Sequence, residues 1–287
     1  MKHWIRRISS VLFYAAILSG CASSKLFVAN TLALSGNYVL NADVAYGPDP
    51  RQRLDLYEPE RPATSPKTLV IFIPGGCWGA CQTFPKEDYR FVADALTAEG
   101  YRVAILNYRL YPEVRFTEII GDVAKAVNQL ASDSVGRGGD TFSLVLMGHS
   151  AGAHLAAMLA LDDRYLDPST RSHLKGWIGL AGPYDFLPFK EAYQPVLFGP
   201  ESHFSDSQPI NFVTRDDPPA LLLHGTEDDV VGTHNLVNLR QRLEEAGVPV
   251  DARYLDHIDH GLIVGALARP ISDNYPVLSA VLAFLRT

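Results

Sequence analysis

The sequence predicts an α/β fold: a mostly parallel sheet of about eight strands, covered by helices on both faces. Three observations carry this. Short runs rich in Val, Ile, Leu and Phe recur and alternate with stretches whose apolar residues repeat at helical spacing. Several of the runs are continuously apolar, as strands buried on both faces must be. Gly and Pro clusters punctuate their ends.

Two antiparallel strands are expected at residues 39–46 and 53–57, around the turn Gly47-Pro48-Asp49-Pro50. Leu54-Asp55-Leu56-Tyr57 alternates as a half-buried strand does. The apolar run at residues 68–73 is a strand that ends in Pro74-Gly75-Gly76. A helix over 87–99, closed by Gly100, leads to a strand at 102–107. An amphipathic helix over 116–131 precedes a strand at 142–147, after which a small-residue helix begins. Further strands are expected at 175–181, 220–224 and 250–255, and helices at 234–246 and 276–285. Residues 183–219 break the rhythm with a long segment rich in Pro, Phe and Tyr between two buried strands. A segment that long inside a domain is usually functional, and it is expected to be lid-like, a lid or a pocket wall.

The chain has 287 residues, 47% hydrophobic and 20% charged, enough for one large domain with a full core over 39–287. No internal repeat or low-complexity linker divides it. The net charge of −7 and the lack of a basic stripe argue against nucleic acid as the main partner. The start differs. Lys2, Arg6 and Arg7 precede an apolar core at 11–18 that is too short to span a bilayer. Small residues follow, so residues 1–20 read as an export signal. The ending Leu18-Ser19-Gly20-Cys21 resembles a bacterial lipobox, in which the cysteine is lipidated. That resemblance implies a membrane-anchored bacterial lipoprotein, held through Cys21, with a tether over 21–38. With Ala22 after the cysteine, it would be exported and outer-membrane or periplasm-facing. An ordinary signal peptide cut near Ala22 or beyond is the alternative.

An oxidising compartment permits a disulfide between Cys77 and Cys81. Their spacing also resembles a metal-ligand or redox spacing, but no second Cys/His pair at zinc spacing accompanies them. A local disulfide that stiffens the loop is favoured over a metal site.

Ser150 stands in Gly148-His149-Ser150-Ala151-Gly152, a G-x-S-x-G pattern between an apolar strand and a helix. A sharp turn there exposes the serine hydroxyl above the strand ends, beside the free N–H groups of a helix start. A nucleophilic serine needs a base, and the base an orienting carboxylate. The strand at 220–224 runs into a loop with three acids, Glu227, Asp228 and Asp229. The last strand ends in two histidines, of which His260 lies further into its loop and precedes Gly261, while His257 reads as a bystander. His149 is expected to pack against the elbow, His154 to be buried and hydrogen-bonded, and His224 to tie the acid loop down.

With these residues in place, the chain resembles the α/β-hydrolase superfamily over roughly residues 40–287. The similarity is to its carboxylesterase-like branch, which includes bacterial esterases and kynurenine formamidases. The elbow segment Gly148-His149-Ser150-Ala151-Gly152-Ala153-His154 carries it, with Asn107-Tyr108-Arg109-Leu110 and Gly75-Gly76-Cys77-Trp78. The resemblance selects Asp228 among the three acids and completes a Ser150-Asp228-His260 triad. It implies an oxyanion hole from the N–H groups of Ala151, Gly76 and Cys77. The family's loop usually begins with His, and here Pro74 stands instead; the Cys77/Cys81 pair is expected to brace the loop in its place. The implied activity is hydrolysis of small carboxylic esters through an acyl-enzyme, with no metal or organic cofactor. Amide or formamide hydrolysis on the same triad, or a silent binding module, are the alternatives. Trp78, Tyr111 and Phe186 are expected to line an apolar substrate pocket, and Phe189 and Phe198 are candidates for the same lining.

Overall fold

Strand β3 shows why this sheet is buried on both sides. Leu69, Ile71 and Ile73 pack into one core and Val70 and Phe72 into another, as the two-residue period of a strand requires. The computed structural model describes residues 29–31, 33, 36–61, 67–136, 142–269 and 271–287. In chain order the first half holds β1 (Tyr38–Ala45), β2 (Arg53–Pro59), β3 (Lys67–Ile73), α1 (Arg90–Thr97), β4 (Arg102–Leu106), α2 (Phe116–Gly136), β5 (Phe142–His149) and α3 (Ala151–Leu161). The second half holds α4 (Pro168–His173), β6 (Leu174–Leu180), α5 (Gln194–Phe198), β7 (Ala220–Gly225), α6 (His234–Ala246), β8 (Val250–Leu255), α7 (Leu262–Gly265) and α8 (Val277–Leu285).

The strands form one eight-stranded sheet in the order β1-β2-β4-β3-β5-β6-β7-β8. β2 is antiparallel to both β1 and β4, and all later neighbours are parallel. Helices α2, α3 and α6 bury their apolar sides against one face and α1 and α8 against the other. The predicted fold class and strand count therefore hold.

Three departures from expectation bear on the packing. The helix expected from 87 starts as a tight 3-10 turn, Lys86–Tyr89, and becomes α-helical only at Arg90. Pro85 fixes its entry, and Lys86 turns its ammonium inward, 2.9 Å from Asp43 and 2.8 Å from Asp55. Helix α2 continues past 131 to Gly136, because no breaker precedes that glycine. The 183–219 segment is not structureless: it contains α5 and two 3-10 turns, Glu201–Ser207 and Pro209–Phe212. Its Tyr184, Leu197, Phe198 and Val213 are buried in the same core as α2 and α3. Of the two expectations for this segment, a packed wall describes it better than a detached lid.

The expected export signal over 1–20 and Cys21 lie outside the described residues, as does most of the 21–38 tether. Among the described residues no helix is long and apolar enough to cross a membrane.

Parallel register gathers the loops. Ile73 lies opposite Gly148, His149 opposite Leu180, and Gly225 opposite Leu255. The segments that follow β3, β5, β7 and β8 therefore emerge side by side at the carboxyl edge, where ligand sites of open parallel sheets lie.

Candidate active site

The elbow is built by close packing. Ser150 has φ 54 and ψ −122, a conformation that costs a non-glycine residue on the order of 1–3 kcal/mol. Ser150 N–H donates to the Leu180 carbonyl at 2.9 Å, and α3 starts immediately afterwards. A side chain at Gly152 would collide with the Ile73 carbonyl, and one at Gly148 with the Gly152 backbone. The pattern's two glycines are therefore required by the approach of β3 and of the turn itself.

His260 and Asp228 meet beside this turn. His260 Nδ1 stands 2.8 Å from Asp228 Oδ2, and the Asp228 side chain is fully buried. The other carboxylate oxygen, Oδ1, accepts the N–H groups of Val230 and Val231, both at 2.9 Å. Burial alone would raise the Asp228 carboxyl, but His260 and the two backbone donors outweigh it and hold it below the usual carboxylate range. His224 donates from Nε2 to the Val231 carbonyl at 2.9 Å, so it ties the acid loop down as expected. The other two acids lie elsewhere: Asp229 is exposed, and Glu227 pairs at 2.9 Å with His257, whose side chain is 89% exposed.

Two histidines flank Ser150 in sequence and brace different parts of the site. His149 Nε2 lies 2.8 Å from the backbone carbonyl of His260, and the two rings stand 4.8 Å apart. A carbonyl only accepts, so Nε2 carries the proton and His149 holds the loop that carries His260. His154 Nε2 likewise donates to the Ser207 carbonyl at 2.7 Å, which leaves Nδ1 to accept from Trp78 Nε1–H at 3.2 Å. His154 thus links the elbow helix, the loop after β3 and the 183–219 wall. Burial lowers His149 to about 3 and His154 to about 4, so both are neutral near pH 7.

The loop after β3 is held at several points. Gly76, Cys77, Trp78 and Gly79 all have positive φ, a run that turns the backbone back on itself. Cys77 and Cys81 form a disulfide. Where the resemblance leads one to expect a bracing His, the Pro74 carbonyl accepts the Tyr108 hydroxyl at 2.9 Å. The Trp78 carbonyl accepts the Tyr111 N–H at 2.9 Å. The Trp78 ring packs against His154, Phe186 and Phe198 at centroid distances of 5.1, 5.9 and 5.0 Å. Ala151 is the first residue of α3, so its N–H has no acceptor within the helix.

Two cavities meet at Ser150, and both are lined by Cys77, Cys81 and Val230. One, of about 310 Å³, adds Trp78, Ala151 and Phe186. The other, of about 480 Å³, adds Gly76, His149 and His260. The structure thus gathers Ser150, His260, Gly76, Cys77, Ala151, Trp78 and Phe186 around one opening, with Asp228 buried behind His260. Tyr111 is placed differently: it lines neither cavity and sits behind the loop, with Arg115 over its ring at 5.5 Å. Its backbone N–H is engaged by Trp78, which holds it there. Phe189 and Phe198 likewise pack behind the cavity wall, 5.2 Å apart. Among the described residues no cluster of His, Cys, Asp and Glu could hold a metal ion.

Comparison with known proteins bears on the family and the fold. The BD-FAE family model matches residues 54–243. The chain is 31% identical over 229 residues to esterase LipC of Mycobacterium tuberculosis, covering 72% of this chain and 55% of LipC. It is 28% identical to the kynurenine formamidase of Danio rerio, covering 85% of this chain and 81% of that protein. The chain spans about half the length of most of the curated relatives it matches. Esterase B of Lactobacillus rhamnosis superposes with a TM-score of 0.73 at 20% identity, over 97% of this chain and 95% of that one. That likeness establishes the α/β-hydrolase fold.

Proposed function

The chain belongs to the BD-FAE family, and from that premise we propose that it is a serine carboxylesterase acting through a Ser150-Asp228-His260 triad. Ser150 Oγ attacks the ester carbonyl while His260 Nε2 takes its proton. Asp228, ionised and buried, fixes the imidazole through Nδ1 and offsets the positive charge it acquires. The N–H groups of Ala151, Gly76 and Cys77 receive the oxyanion. Collapse breaks the bond to the alcohol, whose oxygen takes the proton from His260. Water then attacks the acyl-enzyme by the same route and releases the acid.

The observation that carries this reading is the 2.8 Å contact of His260 Nδ1 with buried Asp228, in a cavity that opens on Ser150. The similarity to LipC supports an ester as substrate. The experiment is labelling with a fluorophosphonate probe, with p-nitrophenyl esters of rising chain length as substrates. Labelling and turnover should both vanish in Ser150→Ala while the fold persists. Unchanged turnover in that variant would overturn the reading.

A second reading keeps the same residues and makes the substrate an N-formyl or other amide. The similarity to a kynurenine formamidase over most of both chains favours it. Matched ester and anilide substrates with one acyl group separate the two: faster anilide cleavage would replace the ester reading.

The start of the chain supports an exported lipoprotein anchored through Cys21, since Leu18-Ser19-Gly20-Cys21 directly follows a basic, apolar leader. Cys21→Ser should move the protein from the membrane fraction to the soluble one. An unacylated variant that stays membrane-bound would contradict the anchor.

A further inference from the structure

The two cavities at Ser150 differ in one respect that chemistry can use: His260 lines only the larger one. This inference rests on the esterase reading. In that reaction the alcohol oxygen must take its proton from His260, so the leaving group has to lie on the side where His260 stands. The acyl carbon stays bonded to Ser150, and its substituent then extends into the other cavity, towards Phe186, Leu187 and Tyr193.

The walls of the two cavities carry different charge. Beside His260 stand three carboxylates, Glu227, Asp229 and Asp259, over an apolar floor of Phe84, Tyr89 and Val264. Among the described residues no lysine or arginine lines that cavity. Glu227 is paired with exposed His257 at 2.9 Å, and Asp259 Oδ1 accepts the Gly261 and Leu262 N–H groups at 3.0 and 2.7 Å, so Asp229 contributes the larger share of the field. Across Ser150 the rim instead carries both signs, Lys190 and Glu191.

We propose that the His260-side cavity is the alcohol site and that Glu227 and Asp229 make the enzyme select esters of cationic or neutral alcohols over esters of anionic ones. The acyl side carries no matching preference. The selection acts when the ester binds and persists until the C–O bond to the alcohol breaks, so it belongs to acylation. The acid half of the ester, left on Ser150, does not feel it.

The test uses butyrate esters of choline, of neohexyl alcohol (its uncharged isostere) and of isethionate. A second series places the same charges on the acyl group of ethyl esters. Comparing each kcat/KM ratio between wild type and the Glu227→Gln/Asp229→Asn double variant cancels intrinsic reactivity. The choline-to-isethionate ratio should be about tenfold larger in wild type than in the variant at low ionic strength. It should shrink towards the variant's value in about 0.5 M sodium chloride, where the Debye length is only a few ångströms. The acyl series should be unchanged by the double substitution. If the variant left the alcohol ratio unmoved, or moved the acyl ratio as much, the assignment would be wrong. If wild type failed to hydrolyse the neohexyl ester at all, the esterase reading itself would fall, and this proposal with it. Should the double variant fold poorly, the salt dependence of the wild-type ratios in the two series decides the same question.

Discussion

The two sides of Ser150 are held by different means. On the side proposed to receive the oxyanion, the loop after β3 is fixed by a disulfide, by the Tyr108 hydroxyl on Pro74, and by a Trp78 ring packed among other rings. On the base side, the His260 ring is set by its contact with Asp228, while its loop is held through main-chain bonds, with His149 on the His260 carbonyl and Asp259 accepting the Gly261 and Leu262 N–H groups, and His257 stands in solvent. The difference matches the chemistry each side would perform. Oxyanion donors work by being fixed before charge develops, since any reorganisation then subtracts from what they supply. A base that takes a proton from one oxygen and gives it to another needs its ring direction set, but a tightly packed cage would hinder both transfers.

Several measurements can break or sharpen this comparison. The largest effect is expected at the base: His260→Ala should lower kcat by on the order of 10³–10⁶, as loss of a triad base does elsewhere. His257→Ala should change it by less than about threefold, because its exposed pair with Glu227 contributes little. If His257→Ala were the inactive variant, the base would be misassigned.

On the other side, His154→Ala removes the acceptor of Trp78 and the donor to Ser207 together. We expect kcat to fall by roughly 10–100-fold with KM nearly constant, the pattern of misplaced donors. His154→Gln, which keeps a donor and an acceptor, should restore part of that loss. A change in KM alone would mean that His154 shapes the pocket and not the oxyanion loop.

Much of the fold was legible in the sequence because strands buried on both faces leave their mark on every residue, as in 68–73 and 142–147. The elbow was legible because Gly148 and Gly152 are demanded by backbone contacts and tolerate no substitute. That His154 is buried and hydrogen-bonded was legible too, but which groups His149 and His154 hold was not. Their partners are backbone carbonyls 111 and 53 residues away, and any residue supplies a carbonyl. The bracing of Pro74 was hidden for the same reason: Tyr108 touches its main chain, so the side chain at that position could change freely. Tyr111 misled as a pocket residue because its aromatic ring suggested a wall, whereas its N–H is what holds the loop.

A smaller effect is expected from the Cys77–Cys81 bond. Reduction should lower kcat several-fold and binding less, because the oxyanion exists only after attack and Trp78 continues to anchor the loop. Equal losses in both would point to general loosening.

The two flanking histidines also give a pH signature in stability. Their folded values, about 3 and about 4, lie below the ordinary 6.5. The unfolded chain therefore binds more protons below that pH, and stability falls as pH falls. The loss starts near pH 6.5 and amounts to about 1.4 kcal/mol per pH unit for each histidine until its folded value is reached. Urea midpoints between pH 7 and about 4.5 should show this slope, and His154→Phe should flatten it. A midpoint constant over that range would contradict the burial of both rings.

The seating of the 183–219 segment bears on how the enzyme would meet an aggregated substrate. Hydrolases that switch on at an oil–water boundary do so by exposing apolar surface beneath a hinged flap. Here Tyr184, Leu197, Phe198 and Val213 are part of the main core, and His154 fastens Ser207 to the elbow helix. Peeling the segment away would expose several large buried side chains, at a cost of roughly 1.5–3 kcal/mol for each. No boundary should therefore be needed for turnover: the rate against a short-chain triglyceride should pass smoothly through its solubility limit, with no step where droplets first form.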